Sequence, residues 1–276
     1  MLNLFSAARA CARMVRLVLH LLAGRRTIRR RFPSWSGAER ERAVEQWARQ
    51  ALVICGVELA ERGARAPAHG PLMIVANHIS WLDILVLHAW RHMRFVAKAE
   101  VHHWPLVGAM ATAAGTLYIE RESRRDALRV VHHLATCLEA GDIAAVFPEG
   151  TTSDGSVLLP FHANLLQAAL TARAPVQCIA LRYEDAATDA LSTAPAYVGE
   201  QSLAASVWRL LNAAPIRAVV QADTPLTPAE GCKRRELASQ LHETVAALQS
   251  RAAGTDAAAD EVRRARDPIA PSEHHP

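Results

Sequence analysis

Six short, largely apolar runs constrain this chain more than any other feature. Residues 72–76 (Leu-Met-Ile-Val-Ala), 94–97, 117–119, 143–147 (Ile-Ala-Ala-Val-Phe), 176–182 and 216–221 read as buried strands, and longer periodic segments fall between several of them. Strands of that kind need cover on both faces, which the intervening helices supply. The expected class is therefore α/β: a single layered domain with a central, mostly buried sheet flanked by helices, preceded by amphipathic N-terminal helices. The chain has 276 residues, 51% of them hydrophobic, enough to bury a full core. The sequence divides into helices at 1–54, a main folded domain at 55–252 and a tail at 253–276.

Residues 1–24 carry Leu2, Leu4, Phe5, Met14, Val15, Leu17, Val18, Leu19, Leu21 and Leu22, interrupted by Arg9, Arg13 and Arg16. The longest charge-free stretch falls short of the roughly 18 to 20 residues that span a bilayer, and its arginines also spoil a signal peptide. The segment reads as a helix lying in a membrane interface, with arginines reaching phosphates and leucines entering the acyl boundary. A helix packed on its own domain would show the same pattern. Arg25, Arg26, Arg29, Arg30 and Arg31 crowd into seven residues directly after it. With no interleaved aromatics, the cluster suits an anionic lipid surface better than a nucleic acid. Residues 38–55 form a second amphipathic helix. Thr227-Pro228-Ala229-Glu230 predicts a helix running to about residue 251, and 253–276, without apolar periodicity, reads as disordered.

The five cysteines are odd in number and form no CxxC pair, which points to a reduced, cytoplasmic setting. Of thirteen histidines, His88 and His92 are four apart on an expected helix, but without a third ligand they predict no metal.

Chemistry concentrates where the strand at 72–76 ends in Asn77-His78-Ile79-Ser80-Trp81-Leu82-Asp83. A histidine at the carboxyl end of a strand sits where α/β sheets present their reactive groups. Asp83, one helical turn on, can accept the proton of one imidazole nitrogen and leave the other as a base. Ser80-x-x-Asp83 is also a capping box, which would account for the aspartate without catalysis. Further on, the strand Leu117-Tyr118-Ile119 leads to Arg121, and the strand at 143–147 ends in Pro148-Glu149-Gly150-Thr151-Thr152-Ser153. Arg121 offers bidentate donors for a phosphate, and Gly150 with Thr151 lets amides and hydroxyls approach an anion.

These residues resemble, in order and spacing, the glycerolipid acyltransferases of the 1-acylglycerol-3-phosphate acyltransferase type. The NHxxxxD block matches Asn77, His78 and Asp83; the Gly-Thr and Arg block matches Gly115, Thr116 and Arg121. The Phe-Pro-Glu-Gly-Thr block is complete at Phe147 to Thr151, Pro175-Val176 matches the last block loosely, and Lys98, Pro105 and Gly108 resemble the linking stretch. The resemblance covers about residues 55 to 200. It implies His78 as general base, Asp83 as its partner, and substrate contacts from Asn77, Lys98, Gly115, Thr116, Arg121, Glu149, Gly150 and Thr151. It also implies an acyl-carrier-protein or coenzyme A thioester as donor, a lysophospholipid acceptor, no metal and no tightly bound cofactor. An anionic membrane surface on the cytoplasmic face of the inner membrane, and no nucleic acid, are the expected partners. The resemblance points to 1-acyl-sn-glycerol-3-phosphate as acceptor, giving phosphatidic acid; the segment Asp154 to His162 departs from the commoner family continuation, which keeps another lysolipid, such as a lyso-ornithine lipid, as the alternative. The same residues would also suit a hydrolase, with water in place of the lipid hydroxyl, or a non-catalytic lipid binder. The oxyanion is expected to rest on backbone amides near the start of the helix at 80–91.

Overall fold

The computed structural model describes residues 2–120 and 123–266, with the side chains of 2–5, 124 and 255–266 left out of the description. Two helices, α1 (Leu2–Arg30) and α2 (Gly37–Cys55), precede β1 (Val57–Gly63), β2 (Leu72–Ala76), α3 (Leu82–Trp90) and β3 (Arg94–Lys98). Then come α4 (Val107–Ala113), β4 (Leu117–Ile119), α5 (Arg124–Glu139), β5 (Ile143–Val146), α6 (Gln167–Ala172) and β6 (Val176–Asp185). The chain continues through α7 (Leu203–Asn212), β7 (Ile216–Ala222) and α8 (Arg234–Arg266).

Among the described residues the strands form one sheet in the order β1-β7-β6-β2-β5-β3-β4. Every neighbouring pair is parallel except β6 and β7, so β6, β2, β5, β3 and β4 run one way and β1 and β7 the other. All five residues of β2 are buried: Leu72, Ile74 and Ala76 enter the layer made by α1, α2, α3 and α7, while Met73 and Val75 enter the layer made by α5, α6 and α8. Cover on both faces is why this run is apolar on successive residues.

All six expected strands form, ending within a few residues of their predicted limits. β1 was not expected. As an edge strand with Glu58, Glu61 and Arg62 turned partly to solvent, it lacks an apolar run to betray it. The last helix begins seven residues later than its cap signal suggests, because Leu226 is bridged to Val176 and Gly231 turns at φ 77°. It then runs past 251 to Arg266, so the expected tail starts inside a helix; the alanines at 252–253 and 257–259 favour that continuation, and 267–276 lie outside the described residues.

α2 begins with a reciprocal capping box, in which the Glu39 amide donates to the Ser36 hydroxyl (3.3 Å) and the Ser36 amide to the Glu39 carboxylate (2.8 Å). It ends at Gly56, at φ 77°, where any Cβ would meet the Arg13 guanidinium at 2.2 Å. Arg13 in turn donates to the Leu211 carbonyl (3.1 Å), and Arg9 to that of Ala213 (3.4 Å), at the C-terminal end of α7. The expectation that α1 packs on its own domain holds along one face. Ala10 and Leu17 are buried against the domain, with Met14 and Leu21 packed beside them; Val15, Val18, Leu19 and Leu22 remain exposed. Arg9 and Arg13, expected to reach lipid phosphates, are instead engaged with α7. No described helix is long and apolar enough to cross a membrane.

Candidate active site

β2 delivers its last residues into a turn that is bonded on every side. The Asn77 amide donates to the Leu181 carbonyl (3.0 Å) and accepts from the Leu181 amide (2.7 Å), extending the β2–β6 ladder by one side chain. Expected among the substrate contacts, Asn77 is instead 1% exposed, with both amide atoms engaged by the strand beside it. It fixes where the next residue stands.

That residue is His78. Its Nδ1 lies 2.7 Å from Asp83 Oδ2, which also accepts the amides of Ile79 (2.7 Å) and Ser80 (2.9 Å). A carboxylate oxygen only accepts, so the proton sits on Nδ1 and the Nε2 lone pair is left as a base. Asp83 thus closes the turn and orients the histidine at once; the capping and catalytic readings are compatible. The His78 side chain is 20% exposed and Asp83 not at all, so a substrate can reach the ring but not the carboxylate. Phe147 stacks on the imidazole, centroids 4.0 Å apart and planes 13° from parallel, which limits ring rotation.

Glu149 follows β5, the strand on the other side of β2. Its Oε1 accepts the His78 amide (2.6 Å) and its Oε2 the Leu159 amide (2.9 Å). Burial pushes this carboxyl above the usual range against the pull of those two amides. Expected to contact the acceptor, Glu149 braces the turn at His78 against the segment after β5, and the Ser153 amide adds a bond to the His78 carbonyl (2.9 Å). Gly150 turns there at φ 71°, Thr151 is exposed, and the Thr152 hydroxyl donates to the Tyr197 carbonyl.

The other candidates lie further along the sheet. Gly115, at φ 85° beneath the Arg94 guanidinium, and half-buried Thr116 turn the chain from α4 into β4, which stands three strands from β2. Lys98 ends β3 exposed. Arg121 lies outside the described residues. Near Glu120, whose amide is held by Asp126 (2.7 Å), a cavity of ≈ 260 Å³ is lined by His102, His103, Tyr118, Asp126 and Arg129. The structure therefore joins His78, Asp83, Glu149 and the Gly150 turn into one cluster and leaves the residues of β3 and β4 apart from it.

The amides of Ile79 and Ser80 bind Asp83, that of Leu82 binds the Ser80 hydroxyl (3.2 Å) and that of Asp83 the Ser80 carbonyl (3.1 Å), so none of these four is available to an oxyanion. His88 and His92 do stack, 5.5 Å between centroids, but gather no third ligand among the described residues. Burial, with His92 beside it, pushes His88 down to about 3. Sequence reading missed Tyr183, whose hydroxyl donates to Asp83 Oδ1 at 2.6 Å. The expected strand stopped one residue short of it; a tyrosine continuing a buried strand, needing a partner for its hydroxyl, was the available signal.

Residues 59–182 match the family model described as Acyltransferase. The chain is 36% identical over 210 residues to the 1-acyl-sn-glycerol-3-phosphate acyltransferase of Neisseria meningitidis, covering 76% of this chain and 81% of that one. It is 38% identical over 207 residues to the lyso-ornithine lipid O-acyltransferase of Pseudomonas aeruginosa, covering 75% and 78%. The crystal structure of the 1-acyl-sn-glycerophosphate acyltransferase of Thermotoga maritima superimposes with a TM-score of 0.68 over 89% of this chain and 96% of that one; at 18% identity, the likeness is one of fold.

Proposed function

The chain belongs to the glycerolipid acyltransferase family, of the 1-acyl-sn-glycerol-3-phosphate acyltransferase type, and from that premise we propose that His78 is the base that lets a lysolipid hydroxyl attack an acyl thioester. The chain is an O-acyltransferase acting on a lysolipid. The observation that carries the mechanism is the 2.7 Å contact between His78 Nδ1 and a fully buried Asp83, which leaves Nε2 as the basic nitrogen of a partly exposed ring. A glycerol hydroxyl is a poor nucleophile at neutral pH. His78 Nε2 takes its proton as the oxygen bonds to the thioester carbonyl carbon. Asp83 stabilises the imidazolium that results. The C–S bond then breaks, and the imidazolium returns the proton to the departing thiolate. No acyl-enzyme is needed, and the sequence has no GxSxG turn to form one.

The acceptor is 1-acyl-sn-glycerol-3-phosphate, giving phosphatidic acid, with Arg121 meeting its phosphate; the donor is an acyl-carrier-protein or coenzyme A thioester. The Neisseria relative supports this acceptor over matched spans. The Pseudomonas relative, equally similar, supports a lyso-ornithine lipid as the second reading. Incubating the enzyme and an acyl thioester with a panel of lysolipids, and identifying products by mass spectrometry, separates them. Phosphatidic acid is the expected product. Acylated ornithine lipid alone would transfer the assignment to the second reading, and free fatty acid alone would make the protein a hydrolase.

The enzyme works at a membrane surface, on the cytoplasmic face, where unpaired cysteines persist. Supporting this, Val15, Val18, Leu19 and Leu22 form an exposed stripe on α1 at helical spacing, followed by exposed Arg25, Arg26, Arg29 and Arg30. Deleting the segment would uncover the core beneath Ala10 and Leu17, so point substitutions are the cleaner test. Each basic residue near an anionic surface contributes about 1 kcal/mol, so replacing the four arginines with glutamine should weaken partitioning onto anionic vesicles by on the order of several hundredfold at low salt. Leu19→Glu with Leu22→Glu should weaken it on neutral vesicles too. Co-sedimentation indifferent to both sets of changes would remove α1 from the membrane contact.

A further inference from the structure

We infer that Tyr183 is a positioning residue for the acyl transfer, its hydroxyl fixing the Asp83 carboxylate and, through it, the ring of His78. The inference rests on His78 being the base. Three donors converge on Asp83 Oδ2: His78 Nδ1, the Ile79 amide and the Ser80 amide. Oδ1 is held from a different direction, by Tyr183 alone among the described contacts, at 2.6 Å. A carboxylate gripped at one oxygen can still tilt about that oxygen. A second grip at the other oxygen fixes the plane, and with it the direction in which Oδ2 meets the imidazole.

The donor arrives from far along the chain. Asp83 is 0% exposed and Tyr183 1%, so water does not compete for Oδ1. The paired Asn77–Leu181 amide bonds set the register of β6 against β2 two residues before Tyr183. The clamp that places His78 therefore places the tyrosine as well. Burial, together with the adjacent Asp83 charge, holds the phenol protonated well above its ordinary range, so it stays a donor at any working pH. A buried tyrosine needs some acceptor; here the acceptor is the carboxylate that touches the reactive histidine. The titratable groups at this point are His78 and Asp83 from the turn after β2, Glu149 from the turn after β5, and Tyr183 itself from β6.

Tyr183→Phe keeps the ring and removes the hydrogen bond. We expect kcat to fall by about tenfold, the scale of one hydrogen bond to a charged group, with KM for the lysolipid unchanged. Losing a donor concentrates the Asp83 charge on the side facing His78, so the acid limb of the kcat/KM profile should move to higher pH by about half a unit. Site-specific 3,5-difluorotyrosine in place of Tyr183 keeps the shape and strengthens the donor, and should move the limb the other way. This second variant serves even if the phenylalanine enzyme folds poorly. Histidine-selective NMR, with His78→Gln as the assignment control, follows the His78 ring independently of turnover. If its titration midpoint moves with the Tyr183 variants while the activity profile stays still, the coupling stands and the assignment of His78 as base fails. If neither moves, or if Tyr183→Phe lowers only Tm, the tyrosine is structural and the inference is overturned.

Discussion

His78→Ala should lower acyl transfer by at least about a hundredfold, and up to about ten-thousandfold, the range supplied by a positioned general base. Stability should change little. The main-chain bonds that hold residue 78, from its amide to Glu149 and from the Ser153 amide to its carbonyl, do not involve the imidazole. Without the ring, Asp83 Oδ2 keeps the two backbone amides and Oδ1 keeps Tyr183. Initial rates with an acyl thioester and lysophosphatidic acid, alongside thermal melts, test both halves of the statement. Activity within tenfold of the wild type would mean that another group takes the proton.

Asp83 should separate charge from shape. In Asp83→Asn, the amides of Ile79 and Ser80 still require an acceptor, so the side-chain oxygen must take the Oδ2 position and its NH2 must face Tyr183, whose hydroxyl oxygen can accept. His78 then keeps its Nδ1 proton and its orientation. What disappears is the negative charge facing the imidazolium as it forms, so the rate should drop by on the order of a hundredfold or more while the melt stays near wild type. A wrong tautomer would be the cause only if the amide could flip, and two backbone donors prevent that.

Asp83→Ala is the contrasting case. It leaves two backbone amides and a tyrosine hydroxyl buried without their acceptor, at about 1 to 3 kcal/mol each, a combined loss comparable with the whole stability of a typical domain. A steep loss of Tm or of soluble protein is expected. If Asn and Ala are equally destabilising, and activity simply tracks the folded fraction, Asp83 is a turn residue and nothing more.

Much of this was legible in the sequence because it is local or periodic. The strand at 72–76 is apolar on every residue because both faces of β2 are covered, and that run alone identifies a central strand. His78 and Asp83 are five residues apart across one turn, a separation the backbone closes without help from the rest of the chain. The α/β class, the pairing of His78 with Asp83 and the amphipathic α2 follow from such short-range regularities. Arg121 also came from the motif, and its placement lies outside the described residues.

What the tertiary structure decided is everything that depends on strand order. β6 lies beside β2 although β3, β4 and β5 come between them in the chain, and this adjacency brings Tyr183 to Asp83 across 100 residues and Leu181 to Asn77 across 104. β5, on the other side, brings Glu149 to the His78 amide across 71. The same motif letters, Asn77 and Glu149, also bond backbone groups of neighbouring segments, which only the folded chain shows. α1 divided likewise: its apolar residues were visible in sequence, but which faced the domain and which faced outward was set by where α7 and α2 end. Periodicity reports that a face is apolar, whereas the neighbour that covers it is chosen by sheet register and helix packing, quantities that belong to pairs of segments and are written in neither segment alone.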